Sequence, residues 1–168
     1  MNTRHTLVAF CSATGTTERI AWLVTKQIKA RLHEIRPEKP YTLADLDYEN
    51  PKSRTSLENA DPDSRPAITS LVKKMERYGT VFLGYPLWWG QAPKVVHTFL
   101  DGYDFGGKTV VPFCTSGSSP VGDSVTELRS LVADSATWLS GVRFSGQASA
   151  EEVWRWVDGL ELADVKRA

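Results

Sequence analysis

Ser12-Ala13-Thr14-Gly15-Thr16-Thr17 stands directly behind the apolar run Leu7-Val8-Ala9-Phe10-Cys11. A buried, strand-like run that breaks into a hydroxyl- and Gly-rich turn and then opens a helix has the outline of a phosphate site. A helix beginning near Thr17 aims its free backbone N–H groups and the positive end of its dipole at the turn. Gly15 lets backbone approach a ligand closely, and Ser12, Thr14, Thr16 and Thr17 add hydroxyl donors. No Lys or Arg lies inside the turn. A phosphate held here would meet neutral donors and a dipole, which suits a terminal monophosphate. Ser, Thr and Gly also serve as ordinary loop formers and helix caps. Two sharper chemistries fail on the residues. A nucleotide-hydrolysing P-loop needs a Gly-Lys pair that is missing. A tyrosine-phosphatase loop needs an Arg six positions after its Cys, where Cys11 is followed by Thr17.

Two more stretches could line a ligand. Tyr85-Pro86-Leu87-Trp88-Trp89-Gly90 puts two adjacent indoles behind the apolar run Thr80–Gly84, a wall for a flat ring. Thr115-Ser116-Gly117-Ser118-Ser119-Pro120-Val121-Gly122-Asp123 follows Thr109–Cys114 and offers hydroxyls and flexible backbone for the polar edge of such a ring. The carboxylate groupings Asp45/Asp47, Asp61/Asp63 and Glu151/Glu152 read as solvated surface.

The elements that must position these loops alternate. The chain of 168 residues predicts one domain spanning 1–168 with room for a full core. The 3-and-4 spacing of Ile20, Leu23, Val24, Ile28 and Leu32 predicts a helix over 17–33. Tyr41–Leu46 reads as a short strand, and 47–66, with three prolines and eight charged side chains, as a polar insertion loop, either lid-like or simply solvated. Ile68, Leu71, Val72 and Met75 predict a helix over 67–77. Strands follow at Thr80–Gly84, Thr109–Cys114 and Val142–Gly146. Helices are expected at 93–100, at 124–134 (with Val125, Leu128 and Leu131 or Val132 inward) and at 150–160 (with Val153, Trp154, Val157 and Leu160 inward). Pro112 inside an apparently central strand is awkward. The β-α alternation implies a parallel sheet covered on both faces, five strands in order 2-1-3-4-5, with ligands outside the carboxyl ends of the strands. Those ends are where 12–17, 85–90 and 115–123 fall.

Composition narrows the partners. Twenty basic and twenty acidic side chains give zero formal net charge, which argues against a general nucleic-acid or acidic-membrane surface. The apolar run behind Met1 is about five residues, short for a signal peptide, and nothing approaches the roughly 20 apolar residues of a membrane span. Cys11 and Cys114 end apolar runs and read as two reduced, buried thiols of a cytoplasmic protein. His5, His33 and His97 are scattered without zinc spacing, so no metal site is expected.

The chain resembles the flavodoxin-like FMN proteins. Ser12–Thr17 matches the phosphate pattern [ST]-x-T-G-x-T. Gly84-Tyr85-Pro86-Leu87-Trp88-Trp89-Gly90-Gln91-Ala92-Pro93, with Gly107-Lys108 and Phe113-Cys114-Thr115-Ser116-Gly117, is similar to a bacterial branch of small flavodoxin-like proteins, over residues 5 to about 160. The resemblance implies an α/β/α sandwich and FMN as cofactor. Ser12, Ala13, Thr14, Gly15, Thr16 and Thr17 would hold its phosphate. Pro86, Leu87, Trp88 and Trp89 would line the isoalloxazine ring, and Thr115, Ser116, Gly117 and Ser118 its pyrimidine and N5 side. No catalytic side chain is implied, because the flavin carries the chemistry. Carrier flavodoxins are strongly acidic with short acidic loops, whereas this chain is neutral and its Pro-Leu-Trp-Trp loop is more like that of flavin quinone reductases. The expectation is an FMN-dependent oxidoreductase passing electrons from a nicotinamide donor to a quinone or other small acceptor, with a flavodoxin-type carrier serving a redox partner protein as the alternative. A homodimer would accompany the enzyme, since quinone-reducing relatives often build their pocket across a subunit interface. A response-regulator domain is excluded by the lack of acidic residues at Cys11-Ser12 and Gly84-Tyr85.

Overall fold

The computed structural model describes residues 4–168. Strands β1 (His5–Phe10), β2 (Ala30–Glu34), β3 (Tyr78–Pro86), β4 (Thr109–Thr115), β5 (Thr137–Trp138) and β6 (Val142–Phe144) form one parallel sheet in the order β2-β1-β3-β4-β5, with β6 also paired to β4. Sequence reading and structure agree on this topology, the fifth strand being split in two. Helices α1 (Thr16–Gln27), α2 (Arg54–Ala60), α3 (Lys94–Asp101), α4 (Gly122–Arg129) and α5 (Ala150–Gly159) complete the fold.

Period-two alternation along the strands divides the core into two layers. Val8 and Phe10 of β1, Phe82 of β3 and Phe113 of β4 pack under Ile20 and Val24 of α1 and Val153 and Val157 of α5. Leu7 and Ala9, Val81 and Leu83, and Val110 and Cys114 face the other way, onto Val95, Phe99 and Leu100 of α3 and Leu128 of α4. Burial on both faces explains why β1, β3 and β4 are continuous apolar runs.

The splitting of the fifth strand explains Pro112. Val110 of β4 accepts from the Leu139 amide and Lys108 from that of Thr137, so even-numbered residues of this strand turn their polar groups toward β5. The N–H that Pro112 lacks would therefore face residues 139–141, the gap between β5 and β6, outside both of their paired segments.

Five expectations are corrected. The helix predicted over 17–33 ends at Gln27; Ile28 is already extended, and 30–34 form the second strand. That strand is an edge, only half-buried, so its Arg31, His33 and Glu34 are tolerated and the apolar signal is faint. Tyr41–Leu46 is a helical turn, not a strand. The Thr42 amide donates to Asp45 Oδ2 (2.9 Å) and the Asp45 amide to Thr42 Oγ1 (3.1 Å), a reciprocal cap. The stretch 47–66 contains α2, whose N-cap Ser53 accepts from the Ser56 amide. Finally, 67–77 is helical only in a 3₁₀ turn, Met75–Arg77, while 67–69 lies antiparallel to 36–38 through the bonds Glu38 N–H to Ala67 O (2.8 Å) and Thr69 N–H to Arg36 O (2.8 Å). In α5 it is Trp156, not Trp154, that enters the core, edge-on to Phe82, Phe113 and Phe144, while Trp154 lies over α1 and donates its indole N–H to Leu23 O (3.0 Å).

Candidate functional site

At the carboxyl ends of β1 and β3 a cavity of about 380 Å³ is lined by Ser12, Ala13, Thr14, Thr16, Thr17, Leu46, Tyr48, Thr55, Pro86, Leu87, Trp88 and Trp89. Two of the three loops singled out in the sequence thus meet around one space, of a size usual for small-ligand sites.

One end of the cavity is the turn into α1. Ser12 Oγ accepts the Gly15 amide (3.1 Å), and Gly15, at φ 90°, occupies the N-cap position without a side-chain cap. A Cβ on Gly15 would meet nothing within 4 Å, so glycine is required here by backbone conformation, not by crowding. The first N–H groups of α1 have no partner inside the helix, and no side chain caps them; they open with Thr14 and Thr16 toward the cavity. Thr17 differs from its neighbours. Its hydroxyl is buried and bonded to Thr115 Oγ1 (2.8 Å), tying β4 to α1. The first cation after the turn in sequence, Arg19, donates to Gly146 O and Ala148 O (2.8 Å each), so its charge is held on another loop. The end of the cavity is a neutral donor cradle at a helix N-terminus, which fits a phosphate.

The opposite wall is the loop after β3. The Trp88 amide donates to Gln91 O (2.9 Å) and the Gln91 amide to Trp88 O (3.0 Å) around Trp89 and Gly90, at φ 52° and 75°. This is a tight two-residue hairpin with both central residues left-handed. Glycine adopts that conformation freely; a Trp does not. The strained turn holds the Trp89 indole, 46% exposed, at the cavity mouth. Trp88 is half-buried and braced edge-on against Tyr41, centroids 5.3 Å apart. Tyr41 in turn donates to Glu58 Oε2 (2.7 Å), carries the Arg54 guanidinium 4.1 Å above its ring, and sits beside the Arg54–Glu58 ion pair (2.7 Å). Burial, then the Glu58 contact, pushes the Tyr41 phenol well above its usual range, so it stays a neutral donor. An indole wall fixed by a second aromatic and an ion pair of α2 is a rigid surface for a planar ring.

The third loop stands slightly apart. Thr115, Ser116, Gly117 and Ser118 do not line the cavity. Thr115 joins it from below through Thr17 and by accepting the Leu87 amide (3.0 Å), and Ser116 to Ser118 continue outward. Leu46, Tyr48 and Thr55 were not anticipated. They come from the stretch read as an insertion, whose Thr55 donates to Asp45 O (2.6 Å) and folds α2 back over the cavity. The signals that could have found it are Thr42-x-x-Asp45 and Ser53-x-x-Ser56, two capping patterns in a run that looked merely polar. Cys11 and Cys114 are both free and buried, and burial pushes each thiol up to about 12, so neither is a nucleophile at neutral pH.

A parallel sheet in this order, with a donor cradle behind its first strand and an aromatic wall behind its third, defines a flavodoxin-like α/β protein. The chain belongs to the flavodoxin family, whose sequence model, described as Flavodoxin, matches residues 5–160. It is similar to two solved structures of candidate flavoproteins from Bacteroides. The one from Bacteroides eggerthii is 41% identical, with a TM-score of 0.86 over 94% of this chain and 98% of that one. The one from Bacteroides uniformis is 42% identical, with a TM-score of 0.87 over 92% and 98%. A flavoprotein from Lactobacillus acidophilus, solved in complex with FMN, shares the fold at 21% identity and a TM-score of 0.66, over 92% of this chain and 99% of that one. No curated protein sequence matches the chain.

Proposed function

We propose that this protein binds FMN and acts as an oxidoreductase, taking electrons from a nicotinamide donor and passing them to a quinone or other small acceptor. The observation that carries the reading is the single cavity with an uncapped helix N-terminus at one end and a strained, braced indole pair at the other. Bound FMN supplies hydride and electron transfer through its isoalloxazine ring. The chain supplies the rest. Ser12, Thr14, Thr16 and the first amides of α1 hold the phosphate as neutral donors, with Gly15 keeping the approach open and Ala13 leaving it uncrowded. Pro86, Leu87 and Trp88 flank the ring, Trp89 covers its edge, and Thr115 to Ser118 line its polar side. Tyr48, 73% exposed, and Trp89 give the mouth an open aromatic rim against which a second planar molecule can lie.

Among the described residues no helix is long and apolar enough to cross a membrane. Two free, buried thiols fit a reducing compartment, in keeping with a cytoplasmic enzyme. An anaerobic absorbance titration tests the function. FMN-loaded protein is mixed with NADH, then NADPH, while the oxidised-flavin band is followed. The expected result is bleaching on mixing, with recovery when a quinone is added. A band that persists until a separate reductase is supplied would replace the enzyme by an electron carrier. Protein that takes up no FMN overturns the reading altogether.

A further inference from the structure

Arg143 lies on β6 opposite Cys114, half-buried, and spends its guanidinium on one loop. Its Nε donates to Ser116 Oγ (3.1 Å), and its Nη2 donates to Ser116 O (2.8 Å) and to Gly117 O. The Ser116 hydroxyl passes the hold onward by donating to Ser119 O (2.6 Å). None of the ion pairs among the described residues involves Arg143. Gly117 is exposed, so its carbonyl could be satisfied by water at no cost. Fixing a long cation there orders the loop beyond what hydrogen-bond satisfaction requires.

A trans peptide is planar, with its C=O and N–H pointing in opposite directions. The carbonyls of Ser116 and Gly117 both point at Arg143, so the amides in the same two peptide units, Gly117 N–H and Ser118 N–H, point away from it. Neither amide has an acceptor among the described residues. A Cβ on Gly117 would meet nothing within 4 Å, which leaves the space beside these donors open. The preceding Thr115 is bonded to Thr17 and to the Leu87 amide, both cavity-lining residues, so the pair of donors follows two residues after a direct tie to the cavity wall.

We infer that Arg143 is a positioning residue for the flavin: it sets the 116–118 backbone so that the Gly117 and Ser118 amides face the acceptor edge of the ring. The inference rests on the FMN reading above. Two oriented N–H donors and a cation behind them favour negative charge on that edge, which grows when the ring is reduced. They therefore tighten FMN binding and raise its midpoint potential.

The test begins with FMN uptake by the unaltered protein; its failure there would sink the FMN reading itself, and this inference with it. Arg143→Ala and Arg143→Lys are then compared with the parent by FMN titration, by spectroelectrochemical midpoint potential and by the amide NMR shifts of Gly117 and Ser118 with and without FMN. Expected are a roughly ten-fold weaker FMN affinity in Arg143→Ala, a lower midpoint potential, and large FMN-induced shifts at both amides in the parent that shrink in the variant. Arg143→Lys keeps the charge but not the fork, so it should fall well short of the parent in both affinity and potential. Parent-like values in Arg143→Ala overturn the inference, as does full restoration by Lys, which would mean that charge alone matters. Should thermal melting show Arg143→Ala unfolded, the Lys variant and the parent's amide shifts decide, and amides unmoved by FMN count against it.

Discussion

Among the described residues, Trp89 is the one aromatic residue at positive φ, an indole at φ 52° in the turn that crosses the cavity mouth. Left-handed backbone at a bulky residue costs about 1–3 kcal/mol and persists where the surroundings demand it. Nothing in the turn itself demands a Trp: Gly90 beside it supplies the other left-handed position at no cost. The strain is therefore spent on placing the ring. Trp89→Asn, which tolerates left-handed backbone, should leave the apo-protein as stable as before, or up to about 1 kcal/mol more stable. The same change should weaken FMN binding and relieve quenching of flavin fluorescence. Urea unfolding of the apo-protein beside an FMN titration separates the two effects. A large loss of apo stability would mean that the indole is part of the core and not a wall.

At the scale of elements, the sheet was legible where burial is two-sided and obscure where it is not. β1, β3 and β4 announce themselves as continuous apolar runs, and the loops 12–17, 85–90 and 115–123 do follow their carboxyl ends, the first two of them lining the cavity. β2 was missed because an edge strand with Arg31, His33 and Glu34 carries little apolar signal, and because no Gly or Pro marks the end of α1 at Gln27. α2 was missed because its role is to brace Tyr41 and cover the cavity with a mostly polar surface, so its caps speak more clearly than its periodicity. The indole buried by α5 could not be chosen by spacing alone, since Trp154 and Trp156 flank the same apolar stripe and only tertiary packing selects Trp156. Gly84 shows how closely the elements fit. A Cβ there would lie 2.3 Å from the Phe113 ring across the β3–β4 pair. Gly84→Ala should cost about 1–3 kcal/mol through overpacking and, by shifting the end of β3, should displace the 86–89 wall and weaken FMN binding as well. Chemical denaturation and FMN titration read the two losses together. A stable variant with normal affinity would show that the Phe113 ring yields more freely than its buried setting implies.

For the whole molecule, the sheet concentrates ligand chemistry at one end and leaves a buried polar cluster under the other helical layer, between α3 and α4. His97 is 1% exposed and neither of its ring nitrogens has a hydrogen-bond partner among the described residues. Its Nε2 lies 3.6 Å from Glu127 Oε1, which Lys94 Nζ approaches to 3.5 Å. Burial, followed by the charges of Lys94 and Arg65, outweighs the opposing Asp101 and pushes the imidazole down to about 4. The unfolded chain takes up a proton at this residue near its ordinary pKa of about 6.5, whereas the folded chain does so only near 4. Between those values the unfolded state binds more protons, so stability rises with pH across the window and is lost on acidification. The contribution is fully present above pH 6.5 and disappears progressively toward pH 4, on the order of 3 kcal/mol in all. His97→Leu should remove that slope. Near neutral pH the variant should be at least as stable as the parent, because it deletes two buried nitrogens without partners while Glu127 keeps Lys94. Urea unfolding at intervals from pH 7 to pH 4 on both proteins isolates the effect, since every other titrating group is common to the two. Parallel stability profiles would mean that the folded protein accepts the proton at His97 without penalty, through Glu127. Profiles that diverge below pH 6.5, with the variant falling less, would establish His97 as a group that ties this fold's stability to neutral pH.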